Sequence, residues 1–165
     1  MKKYRYILCF FFCSISCYSQ FYTGIAIDPN KAFGIIDNPR TEEDHRGLHF
    51  DIEVGLIQNE FAFYVLFGKF NQANYQKLAL GADYFFIQDD RIELGVGGSI
   101  SNIWKKQDDN SETNTYFGWL GRLTGIFWIN PKLGLVGHFQ YQSRPDLEVT
   151  GILEGKIGLR YFFRN

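Results

Sequence analysis

Beyond position 17 this sequence contains no cysteine. Cys9, Cys13 and Cys17 all fall within the first nineteen residues, so a chain processed after Ser19 has no disulfide, thiol nucleophile or thiolate metal site. Basic character is also lacking. Without Lys2, Lys3 and Arg5, the 14 basic and 18 acidic side chains that remain give a formal charge of −4. That excludes a broad electrostatic surface for nucleic acid. No linker or break in composition divides residues 20–165, which predicts a single domain. Nor is there a phosphate-cradling glycine motif: Gly95-Val96-Gly97-Gly98 lies inside a strand pattern and lacks the strand-to-helix context that such a loop needs.

The chain opens with Met1-Lys2-Lys3-Tyr4-Arg5, followed by the apolar run Ile7-Leu8-Cys9-Phe10-Phe11-Phe12-Cys13 and then small or polar residues up to Ser19-Gln20. A basic start, an apolar stretch of roughly ten residues and a polar exit form the pattern of a secretory signal peptide, and the stretch is too short to span a bilayer as a helix. The expectation is a signal peptide over residues 1–19, with Gln20 as the mature N-terminus. Ser14-Ile15-Ser16-Cys17 is a weak match to a lipoprotein processing box, because it lacks the aliphatic residue three positions before the cysteine.

Aromatic residues are abundant: 17 Phe and 10 Tyr accompany 17 Gly in a chain with four Pro and one Met. Aromatics favour strands, and glycine within strands marks bends or close approach. Period-two alternation predicts eight strands, at about 20–28, 47–57, 60–70, 76–87, 91–102, 115–129, 132–143 and 151–163. Gln58-Asn59-Glu60, Gln88-Asp89-Asp90 and Asn130-Pro131-Lys132 read as tight turns, whereas the connections near 29–46, 71–75, 103–114 and 144–150 are longer and polar. An even strand number with short turns at one end and long loops at the other predicts an all-β, eight-stranded antiparallel up-and-down transmembrane β-barrel over residues 20–165. Its termini and short turns would face the periplasm.

The alternation separates two chemistries. Leu48, Phe50, Ile52, Val54 and Leu56 oppose His49, Asp51, Glu53 and Gly55. Ile92, Leu94, Val96 and Ile100 oppose Arg91, Glu93, Gly95, Gly97 and Ser99. Leu133, Leu135, Phe139 and Tyr141 oppose Lys132, His138, Gln140 and Gln142, and the last strand sets Leu153, Ile157, Leu159, Tyr161 and Phe163 against Glu154, Lys156, Gly158 and Arg160. One face suits lipid. On the other, Asp51, Glu53, Asp83, Arg91, Glu93, Arg122, Glu154, Lys156 and Arg160 would meet in a lumen just wide enough to be filled by side chains, where charges must pair. Phe61 to Phe67 is apolar on both faces, and Phe85 and Ile87 fall on the inward face. Phe61, Phe63, Tyr84, Phe86, Phe127, Tyr161 and Phe163 would form one outward aromatic girdle, with Phe50, Phe117, Trp119, Phe139 and Tyr141 forming the other.

This strand plan, the leading signal and the ending Gly158-Leu159-Arg160-Tyr161-Phe162-Phe163 resemble the small outer-membrane barrel superfamily, of the OmpA transmembrane-domain and OmpX type, over nearly all of residues 20–165. The resemblance implies an outer-membrane location, contact with outer-membrane lipids and insertion by the barrel-assembly machinery, which reads a final aromatic residue. Phe163 is the counterpart here, and Arg164-Asn165 after it departs from the pattern. The outer-membrane lipid A deacylases are similar in size and use a His-x-Ser pair with a later Glu. Tyr141-Gln142-Ser143 stands at the comparable place with Glu154 beyond, so tyrosine replaces the base and the serine has no evident activation.

No catalytic, cofactor-binding or metal-ligating residue is therefore assigned, and no enzyme activity is expected. Asp108-Asp109-Asn110 lacks a full oxygen-ligand spacing, and Glu42-Glu43-Asp44-His45-Arg46 needs only a hydrophilic surface to explain it. The expected role is structural or surface-interacting, with a possible extracellular ligand held by the long loops. The alternatives are a narrow solute pore and a soluble periplasmic barrel binding an apolar ligand.

Overall fold

Successive side chains of a strand point to opposite faces, so a sheet closed on itself has an inner and an outer wall written alternately along the chain. The structure, a computed structural model, describes residues 20–33, 47–70, 74–106, 112–145 and 150–163. Within them lie β1 (Gln20–Ile27), α1 (Pro29–Phe33), β2 (His49–Gln58), β3 (Phe61–Phe70), β4 (Tyr75–Gln88), β5 (Ile92–Lys106), β6 (Thr113–Asn130), β7 (Leu133–Gln142) and β8 (Ile152–Phe163). Each strand pairs antiparallel with its neighbour in sequence, and β8 returns to β1, closing the barrel without a free edge. The expected signal peptide, Glu42 to Arg46, Asp108-Asp109-Asn110 and Arg164-Asn165 lie outside the described residues.

The tight turns form where the sequence places them. Asn59 enters the left-handed region at φ 54°, which asparagine tolerates. At the β6–β7 turn, Asn130 Oδ1 accepts hydrogen bonds from the backbone N–H groups of Lys132 and Leu133 at 2.8 and 2.9 Å. At the opposite end, the β1–β2 connection begins with α1, whose first turn is capped by Asp28: its Oδ1 accepts from the N–H groups of Asn30 and Lys31.

Alternation assigns the walls as expected for most positions. His49, Asp51, Glu53, Arg122, His138, Gln140, Glu154, Lys156 and Arg160 are buried, while Ile52, Val54, Leu123, Phe139, Leu153, Ile157 and Phe163 are exposed. β3, apolar throughout, follows the same rule: Ala62, Tyr64 and Leu66 fill the lumen, and Phe61, Phe63, Val65 and Phe67 face out. Three residues depart from expectation. Arg91 and Lys132 are exposed in turns instead of standing in the lumen, because β5 and β7 begin one residue later than anticipated. Ile87 also faces out; a bulge between Phe85 and Ile87 inserts one extra residue and exchanges the faces beyond it, so Phe85 remains buried and Ile87 does not.

At two positions register sets a glycine with no room for a side chain between an acid and a base. Gly97 pairs with Asp83 on one side and Arg122 on the other, and Gly68 stands in the same way between Asp51 and Lys77. A Cβ at residue 97 would run into the Asp83 carboxylate and the Ala82 carbonyl; one at residue 68 would meet Asp51 and Lys77. The missing side chain is the space through which each base reaches its acid. Gly97→Ala is expected to destabilise the barrel by about 1–3 kcal/mol through overpacking, measured by urea unfolding in lipid vesicles. An unchanged midpoint would show that the lumen has slack at this point.

Candidate functional site: the charged lumen

Arg122 on β6 organises the middle of the lumen. Its Nε and Nη2 donate to Asp83 on β4 at 3.0 and 2.7 Å, while Nη1 donates to Glu53 Oε2 on β2 at 2.7 Å. Arg160 on β8 reaches Glu53 Oε1 at 2.7 Å, and the Tyr22 hydroxyl donates to the same oxygen at 2.7 Å. Glu53 and Arg160 are thus joined across β1, with Gly24 in register between them. The two guanidinium groups also lie over aromatic rings, Arg122 at 3.9 Å from the Tyr64 centroid and Arg160 at 4.3 Å from that of Tyr22. Planar, many-donor arginine suits this task, because each acid receives charge-assisted bonds in fixed directions.

Nearer the long loops a second network forms around lysine. Lys156 donates to Asp51 Oδ2 at 2.6 Å and lies 3.2 Å from His49 Nε2, and Lys77 stands 3.4 Å from the same Asp51 oxygen. Lys77 donates to the Gln142 side-chain Oε1, and Gln142 Nε2 donates to the Tyr75 hydroxyl. Glu154 accepts from the Gln140 amide at 2.8 Å through one oxygen and from Lys31 of α1 at 3.2 Å through the other. Asp28, beyond the end of β1, is buried at this mouth, and burial followed by the nearby Glu154 carboxylate pushes its carboxyl above the ordinary value.

The turn end is closed by apolar packing. Phe162 stacks on Tyr22 and meets Trp128 edge-on at a centroid distance of 4.8 Å, while Trp128 Nε1 donates to Glu93 at 3.0 Å. Between the two charged networks, the cavity bounded by Asp51, Glu53, Leu66, His138 and Arg160 has a volume of about 10 Å³. That is room for about one water molecule. Among the described residues the lumen is filled by paired charges packed against an apolar cluster that includes Tyr64, Leu66, Phe85, Ile126 and Phe162.

The residues weighed for hydrolysis are not assembled for it. His138 points into the lumen beside Thr124, at 3.1 Å. Ser143 lies past the end of β7, five residues further along the chain, which in a strand is about 17 Å. Glu154 is held by Gln140 and Lys31. Tyr141 faces outward and packs against Trp119 at 5.5 Å, as one pair of the loop-side girdle. At the turn end Phe61 with Tyr84, and Tyr161 with Phe163, make the other girdle.

No family model matches the chain, and no curated protein sequence does. Solved structures do. The N-terminal β-barrel domain of Pseudomonas aeruginosa OprF is 10% identical, with 88% of this chain and 98% of that one aligned and a TM-score of 0.64. Neisserial surface protein A (NspA) is 15% identical over 87% of this chain and 94% of that one, with a TM-score of 0.51. The outer membrane protein Ail of Yersinia pestis, in a phospholipid bilayer nanodisc, is 12% identical over 88% and 98%, also with a TM-score of 0.51. The fold is that of the small outer-membrane barrels. At such low identity it is the architecture that is shared, and the barrel's lumen chemistry has to be read from its own residues.

Arg122 is where that chemistry is most concentrated. Arg122→Leu leaves Glu53 with one arginine and Asp83 with none at hydrogen-bond distance among the described residues. Removing one partner of a buried pair costs about 3–5 kcal/mol, and a loss of that size is expected in vesicle urea titrations. A variant as stable as the parent would show that Glu53 and Asp83 do not depend on this guanidinium.

Proposed function

We propose that the chain is a non-enzymatic outer-membrane barrel whose rigid wall presents the long connections at the cell surface, in a structural or surface-interaction role. The inverted polarity of the wall carries this reading. Large apolar side chains of every strand are exposed, up to 65% for Phe117 and Leu153, while acids and bases are paired inside. A soluble barrel holding an apolar ligand needs the opposite arrangement. Lipid supplies the apolar solvent that such an exterior requires, and the two aromatic girdles suit its headgroup boundaries. The expected export signal over residues 1–19 and insertion by the barrel-assembly machinery are part of the same reading.

Presentation is supported by unequal strand lengths. β6 has 18 residues and β5 has 15, more than the 9–11 that cross a bilayer. β6 pairs with β7 only from Leu120 onward, whereas its partnership with β5 continues to the Lys106–Thr113 pair. The β5–β6 hairpin therefore rises past its neighbour, and its tip is polar. The pore alternative conflicts with the small lumen cavity and with arginines fixed at both oxygens of Glu53.

Because cysteine is absent beyond residue 17, single cysteines report topology without interference. Glu112→Cys, in the long β5–β6 connection, is expected to react with a membrane-impermeant maleimide on intact cells. Lys132→Cys, in a short turn, is expected to react only after permeabilisation. Equal labelling of both on intact cells, or recovery of the protein in the aqueous periplasmic fraction, would contradict the proposed placement. In planar bilayers the purified chain is expected to give no stepwise ion conductance; sustained single-channel steps would instead favour the pore.

A further inference from the structure

Three residues far apart in sequence converge at the loop-side mouth of the lumen. Asp28 follows β1, His49 opens β2 and Glu154 lies near the start of β8; each offers one ligand atom, and the three atoms lie within 4.8 Å of one another. His49 is 1% exposed, and its Nδ1 is a buried nitrogen with no hydrogen-bond partner. It faces Asp28 Oδ2 and Glu154 Oε1, each at 3.9 Å. That distance is too long for a hydrogen bond and symmetrical between two anions. We propose that Asp28 Oδ2, His49 Nδ1 and Glu154 Oε1 bind one divalent transition-metal cation at the outer end of the lumen.

The donor set indicates the class of ion. Calcium and magnesium favour all-oxygen ligands, whereas one imidazole with two carboxylates suits zinc and its first-row neighbours. With bonds near 2.0–2.2 Å, ligand atoms must close to roughly 3–3.5 Å apart, a contraction that side-chain rotation supplies. Three protein ligands leave a position for water. Asp28 keeps its capping duty, since Oδ1 serves the helix N–H groups and Oδ2 serves the ion.

The surroundings accommodate the change in protonation. Lys156 Nζ lies 3.2 Å from His49 Nε2, and because an ammonium can only donate, a ring that accepts this bond at Nε2 carries its proton on Nδ1. When the cation takes the Nδ1 lone pair, that proton moves to Nε2, and none is released overall. Asp51 Oδ1 lies 4.0 Å from Nε2 and is itself buried without a hydrogen-bond partner. It is therefore the acceptor for the new N–H, a carboxylate behind the metal-bound histidine. Lys156 retains Asp51 Oδ2, with Glu154 Oε2 at 3.8 Å. Lys31, whose side chain is 25% exposed, leaves Glu154 for solvent and opens the way in. The bound ion would tie both ends of the β1–β2 connection to β8.

The test is calorimetric titration of the tag-free full chain, folded in detergent micelles, with zinc chloride and separately with magnesium chloride. One zinc per chain is expected, with no comparable heat from magnesium. Both His49→Gln and Asp28→Asn are expected to weaken zinc at least tenfold, and Lys31→Ala is expected to bind at least as tightly as the parent. Asparagine preserves the helix cap, so Asp28→Asn decides the matter if His49→Gln fails to show the boiling-dependent mobility of a folded barrel. Absence of stoichiometric zinc binding by the parent, or undiminished binding in Asp28→Asn, would overturn the site.

Discussion

Everything in this barrel depends on neutralising charge across the lumen. The wall is written in alternation, so an exterior made of Phe, Leu, Ile and Val commits the intervening positions to the inside, and the chain places acids and bases there. Buried charges are tolerated only when they are paired and hydrogen-bonded. The geometry that achieves this recurs. Asp83 and Arg122 lie two strands apart with Gly97 between them; Asp51 and Lys77 flank Gly68; Glu53 and Arg160 flank Gly24. Long basic side chains reach across the position that lacks a side chain. At Gly97 and Gly68 there is no room for one.

From that packing the functional character follows. Among the described residues the lumen is stapled through Glu53 and packed at the turn end by Phe162, Tyr22 and Trp128. The loop-side rim is where the β5–β6 hairpin rises and where Asp28, His49 and Glu154 meet. At the rim Lys31, Lys77 and Lys156 carry the ion pairs, with Arg144 buried over the Tyr75 ring beside them. A flexible ammonium such as Lys31 or Lys156 exchanges partners at lower cost than a guanidinium held at several atoms.

Much of the fold was legible because a closed barrel with an apolar outer wall is written in strict period-two alternation: the strand order, the tight turns and the inward placement of Asp51, Glu53, Arg122, Glu154, Lys156 and Arg160 were readable from the chain, whereas residues 103–106 and 113–114, read as part of a polar connection, continue β5 and β6. Ile87 was not, because a bulge leaves no compositional mark before register is known. Arg91 and Lys132 failed at strand ends, where one residue decides between turn and lumen. The pairings were invisible for a different reason. Which acid meets which base is a property of inter-strand register, and the glycine between them reads in sequence as an ordinary strand glycine. The Asp28, His49 and Glu154 cluster was hidden likewise, since barrel closure alone brings β8 beside β1, with β2 on the other side of β1.

The most direct check of an apolar wall in lipid around a charged core uses the chain's own tryptophans. Trp119 faces outward at 51% exposure, whereas Trp128 turns inward onto Phe162 and Glu93. Single-tryptophan chains are reconstituted in vesicles of lipids brominated on the acyl chains, one retaining Trp119 and the other Trp128. Strong quenching of Trp119 fluorescence relative to unbrominated vesicles, with Trp128 little affected, is the expected result. Trp119 emission unchanged by the brominated lipid, or both tryptophans quenched alike, would contradict a wall that separates lipid outside from paired charge within.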